Sequence, residues 1–213
     1  MSSPVVEFGI AGYGRAAGTE PEPVAGAARA ALARAVLDAA DLDLLVVAGH
    51  GHGRRRPDPA AGLAGALRVR EARTLVLTED ATGLGIIAGQ LVLQPEVQTV
   101  LFTTEADGAE PPAAVILRRW HPRGRWLATE EFTAAGVAAG DEHDARIVEV
   151  VERACRRAGA RRVDLARVVH RADPDPLTVL GRWLDDPALE PGDLVAITGS
   201  AGGNRWYCTL VEL

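Results

Sequence analysis

The chain has 213 residues, 29 acidic and 23 basic, for a formal charge of −6, and it contains no lysine, so every basic residue is an arginine. A length of this order supports one large domain or two small ones and buries about 70% of the unfolded surface, so neither disulfides nor a structural metal is required. The acidic balance, with no basic stripe carrying interleaved aromatics, argues against a nucleic-acid face. Two well-separated cysteines, no charged-then-apolar leader and no apolar run of about 18 residues predict a soluble, cytoplasmic protein that binds no membrane.

Residues 5–11 read as a buried strand, and Gly12, Gly14 and Gly18 then allow a turn before Pro21 and Pro23. Over 24–40 the residues Val24, Ala28, Ala31, Leu32, Ala35 and Ala39 recur at helical spacing. The run LDLLVVA at 42–48 is nearly continuous in apolar residues, as inner parallel strands are. The loop GHGHGRRRPDP follows, then a helix at 60–69, a strand at 75–78, a helix at 82–93 and a strand at 97–103. This alternation predicts a sheet covered on both faces. After a polar break at 107–112, two more strands at 113–117 and 125–132 are joined by a turn at 121–124. A helix at 143–158, a strand at 161–170, a short helix at 177–184, a strand at 194–198, a glycine turn at 199–203 and a last strand at 206–211 complete the chain. The helix followed by DLDLLVVAGHG in the first half and the helix followed by VDLARVVHRAD in the second are weak copies of each other, which points to an internal duplication.

The stretch TLVLTEDATGLGIIAGQ at 74–90 runs a strand directly into a small-residue helix. Such a corner sets exposed N–H donors and one side chain in a common crevice, where nucleophiles are often mounted. Ala81 occupies it and can do no chemistry. Beside it, Glu79 or Asp80 could act as a general base with a raised pKa, or one could cap the helix while the other faces solvent. Thr82 reads as a hydroxyl nucleophile or as a cap. His50 and His52 share a face of an extended segment, but no third ligand has suitable spacing, and His121 and His143 fall in separate turns, so no metal site is expected. The glycines at 9, 12 and 14 and at 49, 51 and 53 fit no dinucleotide or phosphate-loop fingerprint, and no cofactor is expected. Cys155 on a helix and Cys208 within the last strand read as inert apolar fillers.

The order of elements and several motifs resemble the thiolase superfamily, most closely the ketoacyl-ACP synthase III branch. ALEPGDLVAITGSAGGNRWYCTLVEL is similar to that family's terminal stretch, with PGD before the penultimate strand, a glycine turn, and Trp206 opening the last strand. HDARIVEVVERACRRAGARRVDLARVVHRAD resembles the helix and strand that deliver a catalytic histidine, here His170. DLDLLVVAG, TEDATGLGIIAGQ and AAVILRR match first-half strands and the strand-to-helix corner. The resemblance implies an α/β thiolase-like fold: a single domain over 1–213 of two pseudo-repeated βαβ halves, about 1–120 and 121–213. The layers would run α-β-α-β-α, with the second half shortened.

Two departures change the implied function. Aligning on Thr82 and Gly83 puts Ala81 where the family carries its nucleophilic cysteine, and a thiolate is what attacks an acyl thioester. The family's second-half asparagine has no counterpart either. The resemblance then implies a site formed by His170, Glu79 and Asp80. Ala81, Thr82 and Gly83 would contribute to binding, Gly202 and Gly203 would support a thioester carbonyl through backbone N–H groups, and Arg54 and Arg55 would meet a pantetheine phosphate. It implies a non-condensing, ketosynthase III-like protein of polyketide or natural-product biosynthesis. Such a protein would bind an acyl-CoA or acyl carrier protein thioester and form a homodimer, or a heteromer with an intact homologue. The alternative is a stand-alone acyl-thioester hydrolase, acyltransferase or cyclase with His170 as base.

Overall fold

The computed structural model describes residues 8–16, 22–48, 58–77, 94–104, 111–136, 140–169, 176–201 and 204–213. They form two sheets and four helices. The first sheet contains β1 (Phe8–Arg15), β2 (Leu44–Ala48), β3 (Arg73–Leu77), β4 (Thr99–Thr104) and β5 (Ala113–Arg119) in the order β1-β5-β4-β2-β3. In it β3, β2 and β4 run parallel, while β5 is antiparallel to β4 and β1. The second contains β6 (Arg125–Thr133), β7 (Leu165–Val169), β8 (Leu194–Ala201) and β9 (Arg205–Glu212) in the order β6-β9-β8-β7, with β7 and β8 parallel. The helices are α1 (Pro23–Ala35), α2 (Pro59–Leu67), α3 (Asp141–Ala158) and α4 (Pro176–Leu184).

Period-two alternation along the inner strands sorts the side chains into layers. Leu45 and Val47 of β2, with Leu101, Ala114 and Ile116, pack under α1 and α2 on the outer face. Leu44, Val46 and Ala48 of β2 and Phe102 of β4 face the second sheet, where Val195, Ile197 and Val211 meet Leu177 and Leu180 of α4. The far face of the second sheet packs Trp206, Cys208 and Leu210 against Ile147, Val150, Val151 and Ala154 of α3. The layers are therefore α-β-α-β-α. All five β2 residues are buried, which explains why the run carries no polar alternation.

The expected duplication is visible strand by strand. β6, β7, β8 and β9 occupy the places of β1, β2, β4 and β5, and α3 packs on β6 and β9 as α1 packs on β1 and β5. Among the described residues β3 has no counterpart. Neither has α2, because α4 lies between the sheets rather than on an outer face. The shortening of the second half thus consists, among the described residues, of one outer helix and one edge strand.

The structure corrects several sequence expectations. Gly12 and Gly14 belong to β1 rather than to a turn: a Cβ at either would overlap the α1 backbone, at Ala31 and Ala27 respectively, so they are glycines to let helix and strand touch. The turn at 121–124 lies where expected, and it carries the chain from the first sheet to the second, since β5 and β6 lie in different sheets. The first helix stops at Ala35, where Val36 adopts a left-handed conformation (φ 54°) and its N–H caps the helix; a separate 3-10 turn spans Ala39–Asp41. Similarly, 162–164 is a 3-10 turn preceding β7, and β8 continues through Gly199 to Ala201.

On α3, Glu149 sits between Arg146 (3.0 Å) and Arg153 (2.5 Å), and both guanidiniums lie over the Phe132 ring. Those two hydrogen bonds hold the Glu149 carboxyl below its ordinary value of 4.5. A lowered folded-state value contributes stability above the unfolded value and loses it as pH falls through the folded one. The melting temperature of the wild type should therefore exceed that of Glu149→Gln at neutral pH. The gap should close below about pH 4, as a pH series of thermal melts would record.

Candidate functional site

In an open parallel arrangement, the crevice beyond the carboxyl ends of the strands is where ligands bind. Here β2, β3 and β4 end together at Ala48, Leu77 and Thr104, and β7 ends at Val169 opposite Ile197, beyond which β8 continues to Ala201. Every residue expected for the site follows one of these ends in sequence. Arg54 and Arg55 follow β2; Glu79, Asp80, Ala81, Thr82 and Gly83 follow β3; His170 follows β7; Gly202 and Gly203 separate β8 from β9. All ten lie outside the described residues, as do His50, His52 and the helix expected at 82–93.

The described residues show how these ends are held. Thr198 of β8 is buried, and its hydroxyl donates to the carbonyl of Val169, the last residue of β7 and the one preceding His170. In the first sheet Thr103, also buried, donates to the Ala113 carbonyl at 2.9 Å and ties the end of β4 to the start of β5. Pro112 accepts from the Ala16 N–H (3.1 Å), fixing the exit from β1, and Asn204 accepts from Ala134 N–H (2.8 Å) at the β8–β9 turn. Gly181 of α4 lies flat on the Tyr13 ring, where a Cβ would overlap the ring itself. The central helix is thereby pinned to β1.

Sequence reasoning missed Thr198, since a threonine after an apolar run reads as an ordinary strand former. The available signal is that a buried hydroxyl needs a partner. Thr198→Val leaves the Val169 carbonyl without it, an expected loss of about 1–3 kcal/mol. Thr198→Ser keeps the donor and should recover most of that loss in urea melts; equal destabilisation by both variants would count against the tie.

Both cysteines of the chain are placed. Cys155 on α3 and Cys208 on β9 are buried in the same outer cluster of the second sheet. Burial raises the Cys208 thiol far above its ordinary value, and burial followed by the charges of Asp164 and Glu152 raises that of Cys155. Neither is a ready thiolate. His143 does not stand in a turn but in the first turn of α3, buried, where its Nδ1 accepts from Trp206 Nε1 at 3.3 Å. His121 Nδ1 caps its own turn at Arg123 N–H (3.3 Å). Among the described residues no three His, Cys, Asp or Glu side chains gather at one point, and no helix is long and apolar enough to cross a membrane. Two cavities lie at the other end of the strands. One, of about 290 Å³, is lined by Arg123, Trp183, Leu189, Glu190 and Leu213; the second, of about 370 Å³, by Ala39, Leu42, Arg68, Arg70 and Glu71.

The architecture has solved counterparts along nearly its whole length. A variant of OleA from Xanthomonas campestris superposes with a TM-score of 0.80 at 14% identity, covering 100% of both chains. 3-Oxoacyl-[acyl-carrier-protein] synthase III from Aquifex aeolicus gives 0.72 at 16% identity, over 97% of this chain and 100% of that one. The fold is the thiolase-type fold of ketoacyl synthase III. ChlB3, described as an acyltransferase, shares this ketosynthase III-type fold, with a TM-score of 0.79 at 16% identity over 97% of this chain and 98% of its own. OleA has also been solved with lauric acid and lauroyl-CoA bound. No family model and no curated protein matches the chain. At such identities it is the ketosynthase III-type architecture that is shared, so the chemistry must be argued from this chain's own residues.

Proposed function

We propose that the chain is a non-condensing ketosynthase III-like protein of polyketide or related natural-product biosynthesis. It binds an acyl thioester carried on CoA or an acyl carrier protein, in the cytoplasm, and works with an intact ketosynthase-like homologue or with a second copy of itself. The observation that carries this reading is the location of both cysteines in the core beneath α3. With Ala81 at the corner, the chain offers no thiolate to attack a thioester, while the fold is one whose solved members include an acyl-CoA complex. Pairing through β3 is supported by its position at the edge of the first sheet, with Thr74 exposed and Val76 40% exposed.

Lauroyl-CoA is a suitable probe. Titration calorimetry is expected to show saturable binding, and intact-mass spectrometry of the same mixture no laurate adduct. An adduct on Cys155 or Cys208, or no binding of either lauroyl-CoA or lauroyl carrier protein, would overturn the proposal. Co-expression with a neighbouring ketosynthase-like protein tests the assembly, for which a mixed complex is expected.

A second reading, a hydrolase, acyltransferase or cyclase in which His170 activates water or an acceptor, is favoured by the Thr198 tie. That bond restrains the backbone carbonyl adjoining His170. Under it, His170→Ala abolishes turnover of lauroyl-CoA with the melting temperature unchanged, and unaltered turnover would sink it.

A further inference from the structure

The duplication described above leaves one place unfilled. In the first sheet the outer edge of β2 is covered by β3, paired in parallel from Leu44 opposite Arg73 to Ala48 opposite Leu77. β7 occupies the matching place in the second sheet, and among the described residues its single neighbour is β8. Among the described residues nothing pairs with its other edge, and a free edge is a template for an added strand.

The side chains along that edge specify what could add. Residues 161–169, RRVDLARVV, hold three arginines against one aspartate in a chain whose total charge is −6. Asp164 is already taken by Arg161, at 2.8 Å and 3.2 Å. Arg162 and Arg167 are exposed and make no ion pair with a described residue; Arg167 donates only to the adjacent Ala166 carbonyl (2.9 Å). Val163 stands 80% exposed at the entry to the strand, and Leu165 and Val168 are half-buried. The edge therefore offers a backbone ladder, an apolar contact and two cations awaiting anions. A second copy suits it poorly. β7 against β7 sets Arg167 facing Arg167 across the twofold axis, and β3 brings Arg73 and the exposed Arg68 and Arg70. Like charges opposed across strands are destabilising.

We propose that the outer edge of β7 docks an extended acidic segment of another protein, which completes the second sheet as a fifth strand in the place β3 holds in the first. Backbone pairing along Leu165–Val169 supplies the ladder, one carboxylate meets Arg167 on the strand, and where the added segment runs past the turn at 162–164 a second carboxylate meets Arg162 and an apolar residue covers Val163. This proposal is independent of the acyl-thioester reading, and its test uses no acyl substrate.

The test uses the whole chain and a fluorescent heptapeptide of alternating valine and glutamate, followed by anisotropy. Saturable binding is expected, weakened at least tenfold in Arg162→Glu/Arg167→Glu. The same peptide with lysine for glutamate should not bind. A version N-methylated at alternate residues, which keeps the charges but cannot form the ladder, should also fail. No binding of the acidic peptide, equal binding of the lysine peptide, or equal binding of the N-methylated peptide would each overturn the proposal. So would a dimer in sedimentation that disappears in the double variant, which would assign the edge to a second copy. Circular dichroism and melting of the double variant should match the wild type, since both arginines are exposed.

Discussion

Trp206→Ala is expected to lower stability by about 3–5 kcal/mol, the usual cost of emptying a fully buried tryptophan site. For a chain whose total stability should be about 5–15 kcal/mol, that is a large share, corresponding to a fall in melting temperature of roughly 10 °C. Trp206 is completely buried, stacks on Phe132 at 5.2 Å between centroids, and donates its indole N–H to His143. His143 Nε2 already has no hydrogen-bond partner, so removing the indole deprives the imidazole of its remaining one. Trp206→Phe restores the ring without the donor and should fall between. Trp120→Ala supplies the control: Trp120 is 71% exposed, and its loss should barely move the melt. A Trp206→Ala protein melting within 2–3 °C of the wild type would show that α3 is not anchored through this residue.

Ala81→Cys is expected to make the chain accept an acyl group. The single substitution places a thiol at the position where the resemblance to ketoacyl synthase III puts the nucleophile, and the helix amino end that the sequence predicts there would lower a thiol's pKa. Incubation with lauroyl-CoA and intact-mass spectrometry should show one added acyl group in the variant and none in the wild type. Peptide mapping should place it at 81 rather than at Cys155 or Cys208, both buried. His170→Ala in the same background should slow the reaction. No adduct at 81 after prolonged incubation would mean that the corner no longer binds a thioester in reach.

Much of the fold is legible because the inner strands announce themselves. LLVVA of β2 and LVAI within β8 are unbroken apolar runs of strand length, and the order of strands and helices between them leaves few topologies. What escapes is whatever depends on a neighbour absent from the local window. Gly12 and Gly14 read as a turn, although α1 approaches so closely that no side chain fits. The turn at 121–124 is legible as a turn, but not that the chain leaves one sheet for the other there. The same holds for the site. Cys155 and Cys208 read as apolar fillers from their places on a helix and within the last strand, whereas Thr198 and His143 matter through partners 29 and 63 residues away.

The strand orders also dictate a folding sequence. β9 is made after β6, β7 and β8, yet it lies inside the second sheet, bonded to β6 on one side and β8 on the other. β6 meets its partner across pairings as distant as Arg125 with Glu212. During synthesis β6, α3, β7 and β8 must wait without their central strand, so the second half closes only after residues 205–212 have been made. Contacts this far apart in sequence carry a large loop-closure cost and fold slowly. The first sheet, complete once β5 has been made, can serve as the surface on which the second assembles.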